Sequence, residues 1–190
     1  MTTAFVALDF INDIVDPAGK IAGSAAEIAA RGTLAKAHDA LAAARERGWL
    51  TVLVRVGFAE GYAAAPKTSP IFGRAAQLGA LKLGGWGTEF HPALGATPSD
   101  AVILKPRVSA FYASGLEALL RVNHVERLVV CGVSTAWAVQ ATVRDGHDRD
   151  YEMVVVEDAC AAADAEEHAA SLHLLSRIAR MVRAEDLAGL

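Results

Sequence analysis

The chain has 190 residues, 53% of them apolar and 21% charged, and its 18 basic and 22 acidic side chains give a formal charge of −4. That length fits one domain on a scale of roughly 150 residues each, and the composition excludes a disordered tail, a collagen-like repeat and a low-complexity scaffold. No basic block offers a footprint for nucleic acid, no apolar run approaches the ~18 residues of a membrane span, and the opening MTTAFVALDFIND lacks the basic start of a signal peptide.

Taken in chain order, continuous apolar runs predict strands over Ala4 to Leu8, Leu50 to Val56, Ala101 to Leu104, Arg127 to Cys131 and Glu152 to Val156, with a short sixth at Arg180 to Arg183. Runs without polar alternation belong to parallel sheets buried on both faces. Between the first two, Ala30, Leu34, Ala37, Leu41 and Ala44 keep a helical spacing within Ala25 to Arg47, with Gly48 as C-terminal cap. Periodicity is then lost from Gly57 to Thr97, where eight glycines crowd with three prolines and Trp86; this segment reads as a lid or a subunit contact. Further on, Ser114 with Glu117 and Asp164 with Glu167 read as capping boxes for two later helices. Strands alternating with helices predict an α/β fold, a Rossmann-like open parallel sheet of five to six strands with helices on both faces, formed by residues 1–190 as one domain.

Ligands of such sheets bind beyond the carboxyl ends of the strands. The residues there are Asp9, Arg55, Lys105, the run Gly132-Val133-Ser134-Thr135, and Asp158. An acid and a lysine at two strand ends make a working pair for proton transfer, or a structural ion pair; desolvation of Asp9 would raise its proton affinity towards neutrality. In GVSTAWAVQATVRDGH, Ser134 or Thr135 caps the following helix, whose first amides can stabilise an anion or oxyanion. A nucleophile aided by that helix start belongs at position 138, which is alanine.

The segments ALDFIND, ILKPRVSAFYASGLEALL and VVCGVSTAWAVQATVRDGHDRDYEMVVVEDACAA resemble, in matching order from about Thr3 to Leu187, the signature regions of the isochorismatase-like hydrolase superfamily, also called the cysteine hydrolases. The resemblance implies a Rossmann-like sheet and a catalytic Asp, Lys and Cys, which fall on Asp9, Lys105 and Ala138. It further implies a cis peptide between Val133 and Ser134 and an oxyanion hole at the amides of Ser134 and Ala138. Homodimers or homotetramers are the family expectation, with the Gly57 to Thr97 segment as a contact.

Ala138 is the departure from the family pattern: an alanine methyl forms no thioester. Cys131 and Cys160 read as small core residues, belong to no CxxC pair and build no disulfide framework, which points to a reducing cytoplasm. True isochorismatases resemble this chain in carrying a small residue at position 138, and they cleave a vinyl ether by protonating carbon. On that pattern Asp9 is the acid, Lys105 orients it, and Arg55 pairs with a substrate carboxylate, with Trp86, Phe111 and Trp137 as candidate pocket walls. The D-x-H metal motif of the family's nicotinamidase-type members is absent from RVGFAEGY, and none of the six histidines shows ligand spacing. No metal is expected, and with neither GxxxxGK[ST] nor GxGxxG no nucleotide cofactor is expected either. The sequence therefore predicts a cofactor-free, thiol-free hydrolase of a small molecule's C–O or C–N bond. Its alternatives are a non-catalytic ligand-binding homologue and a cysteine amidase whose nucleophile has been replaced by Ala138.

Overall fold

The computed structural model describes all of residues 1–190. Six parallel strands form one sheet: β1 (Thr3–Leu8), β2 (Leu50–Val56), β3 (Ala101–Lys105), β4 (Arg127–Val133), β5 (Glu152–Ala161) and β6 (Arg180–Val182), in the spatial order 3-2-1-4-5-6. All six residues of β1 are buried, as the central strand of a sheet covered on both faces requires. The order reverses between β1 and β4, so their carboxyl ends diverge into a crevice.

Helices α1 (Asn12–Val15), α2 (Ala25–Arg31), α3 (Thr33–Glu46), α4 (Ala75–Leu78), α5 (Leu116–Val122), α6 (Gln140–His147) and α7 (Ala165–Leu175) fill the connections. The single helix expected over Ala25 to Arg47 is broken at Gly32, whose φ of 66° and ψ of 28° end α2 in the left-handed conformation and start α3 on a new axis. Helix α3 packs Ala37, Ala40, Leu41 and Ala44 onto β1, β2 and β5, and Gly48 turns the chain back at φ 66°. The Asp164 cap is present, its carboxylate accepting from the Glu167 amide at 2.8 Å. The Ser114 box is not: Gly115 caps α5, Ser114 Oγ turns to the Ala110 carbonyl, and Glu117 pairs with Arg121 and Arg149.

The segment from Gly57 to Thr97 is more ordered than its lost periodicity predicts. It holds α4, two single 3₁₀ turns (Trp86–Thr88 and Pro92–Leu94) and bridges pairing Ile11 with Phe90 and Phe58 with Lys82. Its apolar residues Phe58, Phe72, Ala75, Ala80 and Leu81 gather with Ile11 and Val56 into a small core separate from the main one. The buried Asp13 carboxylate anchors it, accepting from the Leu81 amide at 2.7 Å and the Lys20 amide at 3.3 Å. A side chain at Gly87 would collide with that carboxylate, so glycine is required there. No helix is long and apolar enough to cross a membrane.

Candidate active site

Three adjacent strand ends place the acid and the lysine together. Register pairs Leu8 with Val54 and Val56 with Lys105, so the residue after β1 faces the last residue of β3 across β2. Asp9 takes φ 58°, a left-handed turn that aspartate tolerates better than most residues, and its amide donates to the Val54 carbonyl at 2.9 Å. Its Oδ1 accepts from the Val56 amide at 2.9 Å, and its Oδ2 lies 2.7 Å from Lys105 Nζ, which also donates to the Val108 carbonyl at 2.7 Å. Asp9 is 3% exposed and Lys105 1%. Burial raises the Asp9 pKa above the ordinary carboxylate value, with Lys105 and the Val56 amide pulling the other way.

Across the crevice, β4 ends against β1. Gly132 pairs with Leu8 and takes φ 151°; a Cβ there would lie 2.5 Å from both the Leu8 Cβ and its carbonyl oxygen. Only glycine permits this approach. The Val133–Ser134 peptide is cis, and Ser134 Oγ accepts from the Ala136 amide at 3.2 Å. A π-helical turn over Thr135–Val139 then leads into α6, carrying Trp137 and Ala138. Such turns favour functional sites because the extra residue re-aims side chains and amides.

A second network holds that turn from behind. Thr135 Oγ1 lies 2.8 Å from His168 Nδ1, and Arg31 donates from 2.9 Å to His168 Nε2. Because a guanidinium only donates, Nε2 is the acceptor and the ring proton sits on Nδ1, donated to Thr135. Burial, then the Arg31 charge, lowers the His168 pKa to about 4, so the ring is neutral at physiological pH.

Between the two halves lies a pocket of about 290 Å³, lined mostly by apolar side chains. Asp9, Lys105, Val133, Ser134, Trp137 and Ala138 come from the strand ends and the π turn; Ile71, Phe72 and Leu81 come from the small core; Ile14, Ile21 and Ser24 come from the connection after β1; Ala163 and Glu167 come from the start of α7. No three His, Cys, Asp or Glu residues cluster as metal ligands would. Both thiols lie outside this lining at 0% exposure; burial pushes Cys160 up to about 12 and Cys131 well above its ordinary value.

The structure thus brings together Asp9, Lys105, Ser134, Trp137 and Ala138. Four other sequence candidates lie elsewhere. Val56 lines the pocket, so strand alternation sends Arg55 to the opposite face, where it donates to the Thr88 carbonyl at 3.1 Å and stacks 5.7 Å from the Phe90 ring. Trp86 is half exposed on its 3₁₀ turn, held through its carbonyl by Asn12 Nδ2 at 2.9 Å. Phe111 is buried in the main core, stacked on Tyr151 with the Arg149 guanidinium over its face. Asp158 lies inside β5, which runs on to Ala161, and accepts from the Ala184 amide. Sequence reading missed Glu167 as a pocket residue, although its place just after the fifth strand was visible, because the capping motif already explained it.

A family model described as the isochorismatase domain matches residues 3–186. The chain is 37% identical over 188 residues to the uncharacterised isochorismatase family protein YecD of Escherichia coli O157:H7, covering 98% of this chain and 94% of that one. It is 29% identical over 170 residues to the ureidoacrylate amidohydrolase RutB of Variovorax paradoxus, covering 83% of this chain and 68% of the relative. Among solved structures, an isochorismatase family protein from Desulfovibrio vulgaris superposes with a TM-score of 0.88 at 26% identity, covering 99% of this chain and 97% of that one.

Proposed function

Because the chain belongs to the isochorismatase family of hydrolases, we propose that it hydrolyses a C–O or C–N bond of a small molecule without a thiol nucleophile, using Asp9 as the proton-transferring group and Lys105 as its partner. The observation that carries this reading is the buried Asp9–Lys105 pair opening onto a largely apolar pocket in which the helix-start position is the methyl of Ala138. A carboxyl whose proton affinity burial has raised is better placed than an exposed one to carry a proton and give it to a weakly basic substrate atom. With a vinyl ether, Asp9 protonates the terminal carbon; water adds to the resulting oxocarbenium ion and returns a proton to the Asp9 carboxylate; the hemiketal then collapses to a ketone and an alcohol. Lys105 stabilises the carboxylate while it lacks the proton. With an amide or carbamoyl group, Asp9 instead takes a proton from the attacking water, the Ser134 and Ala138 amides stabilise the oxyanion that forms, and its collapse breaks the C–N bond as Asp9 returns the proton to the leaving nitrogen. The similarity to a ureidoacrylate amidohydrolase favours keeping the C–N bond in the substrate class.

The test is turnover of a panel of small amides, carbamoyl compounds and vinyl ethers by the parent, Asp9→Asn and Ala138→Cys. The expected result is turnover by the parent on at least one compound and a loss of about 10²–10⁴-fold in Asp9→Asn, the usual span for a general acid or base. Amide turnover only in Ala138→Cys would replace this reading with that of an amidase lacking its nucleophile. Binding without turnover in both would replace it with a ligand-binding homologue.

A further inference from the structure

Resting on the hydrolase reading, we propose that the substrate is a small molecule whose apolar body carries a cationic or hydrogen-bond-donating group, an amine, amidine or primary amide, and that Glu167 receives that group. Three ionisable side chains line the pocket: Asp9, Lys105 and Glu167. In the ion-paired state that free ligands meet, Asp9 and Lys105 neutralise one another at 2.7 Å, and the Lys105 ammonium also donates a hydrogen bond to the Val108 carbonyl. That leaves the Glu167 carboxylate as the uncompensated charge of the lining. Arg55, the cation that a carboxylate-bearing substrate would need, points to the other side of the sheet.

Glu167 is also not consumed by its helix. Asp164 caps α7 by accepting from the Glu167 amide, and Glu167 Oε2 accepts from the Ala163 amide at 3.0 Å, which leaves Oε1 without a protein donor. Against mostly apolar walls this oxygen attracts a donor more strongly than it would in open water, and it repels a carboxylate. The two ends of the site are then complementary. Amides of the π turn favour the electron-rich end of the reacting group, and Glu167, one residue before the histidine that braces that turn, favours its N–H or ammonium end.

The experiment is a titration of the protein at pH 7.5, followed by heteronuclear NMR shifts, with benzylamine, benzyl alcohol and benzoate. These probes share an apolar ring and differ in charge. Benzylamine is expected to bind about tenfold more tightly than benzoate, with benzyl alcohol between, since attraction of one and repulsion of the other add across a partly exposed carboxylate. Glu167→Gln keeps an acceptor for the Ala163 amide and should bring the three within about twofold, whereas Glu166→Gln, exposed on the same turn, should leave the preference intact. Equal affinities in the parent, a preference for benzoate, an unchanged preference in Glu167→Gln, or no binding of any probe would each overturn the proposal. Turnover reads separately, on the parent with the panel of amides, carbamoyl compounds and vinyl ethers. Turnover without a charge preference would overturn this inference alone, and a charge preference without turnover would overturn the hydrolase reading alone.

Discussion

The two walls of the pocket are built from different materials. One is the end of β4 with the π turn, backed by α7 and continuous with the main core of 41 buried residues. The other is the Phe72–Leu81 face of the Gly57 to Thr97 segment, backed by a core of only seven. The first wall is fixed by backbone proximity inside a close-packed interior, where a single extra atom is felt. The second is tied down by isolated bridges and by one buried carboxylate that collects amides from two loops. A site made this way joins a rigid half, where hydrogen-bonding groups must not move, to a half that can open for a ligand at modest cost.

The comparison breaks most sharply at Gly132→Ala. The new methyl has no room beside Leu8 and the residue has no comfortable conformation, so a loss of about 3 kcal/mol or more is expected, read as a large fall in thermal midpoint. A near-normal midpoint would show that the β1–β4 approach gives way easily and that the first wall is not rigid. Asp13→Asn probes the second wall. An amide NH₂ would then face one of the two backbone donors, costing about 1–3 kcal/mol, and the opening should be local. Hydrogen exchange at the Leu81 amide should accelerate while amides of β1 and β4 stay protected; uniform loss of protection would merge the two cores into one cooperative unit.

Near neutral pH the smallest expected effect is a pH dependence behind the first wall, which grows only as the solution is acidified. His168 stays neutral in the fold down to about 4, whereas in the unfolded chain it takes a proton near 6.5. Its contribution is therefore fully present above pH 6.5 and is lost progressively as pH falls from there towards 4. Asp9, whose proton affinity is raised by burial, acts in the opposite sense, so the parent alone does not isolate the histidine. The difference between parent and His168→Gln denaturant stabilities should shift towards the variant as pH is lowered through that window. A pH-independent difference would mean that the ring is not held neutral.

The sequence announced the sheet because its strands are apolar on both faces, and the first wall because GVSTAWAV and ALDFIND sit at strand ends. Face was harder to read than place. Arg55 lies at the right height in β2, but the pleat gives that side of the strand to Val54 and Val56, a choice that one residue of register decides. The helical spacing runs on across Gly32, so the break in α2–α3 depended on the backbone freedom of one residue and not on any change in pattern. The second wall was illegible because its apolar residues follow no period; they meet through isolated bridges and through Asp13, a residue that in sequence looks like any surface acid.

The strand order 3-2-1-4-5-6 also has a consequence for the chain as it leaves the ribosome. One edge of β1 can be covered as soon as Leu50–Val56 has emerged, but its other edge awaits Arg127–Val133. Until then a fully apolar strand presents unpaired amides and carbonyls, with the Asp9 carboxylate beside them in water. Closing that edge buries the strand and withdraws the acid from solvent in one event, and the crevice is complete only once Ala163 and Glu167 have followed, so no chain that stops short of α7 holds the finished site.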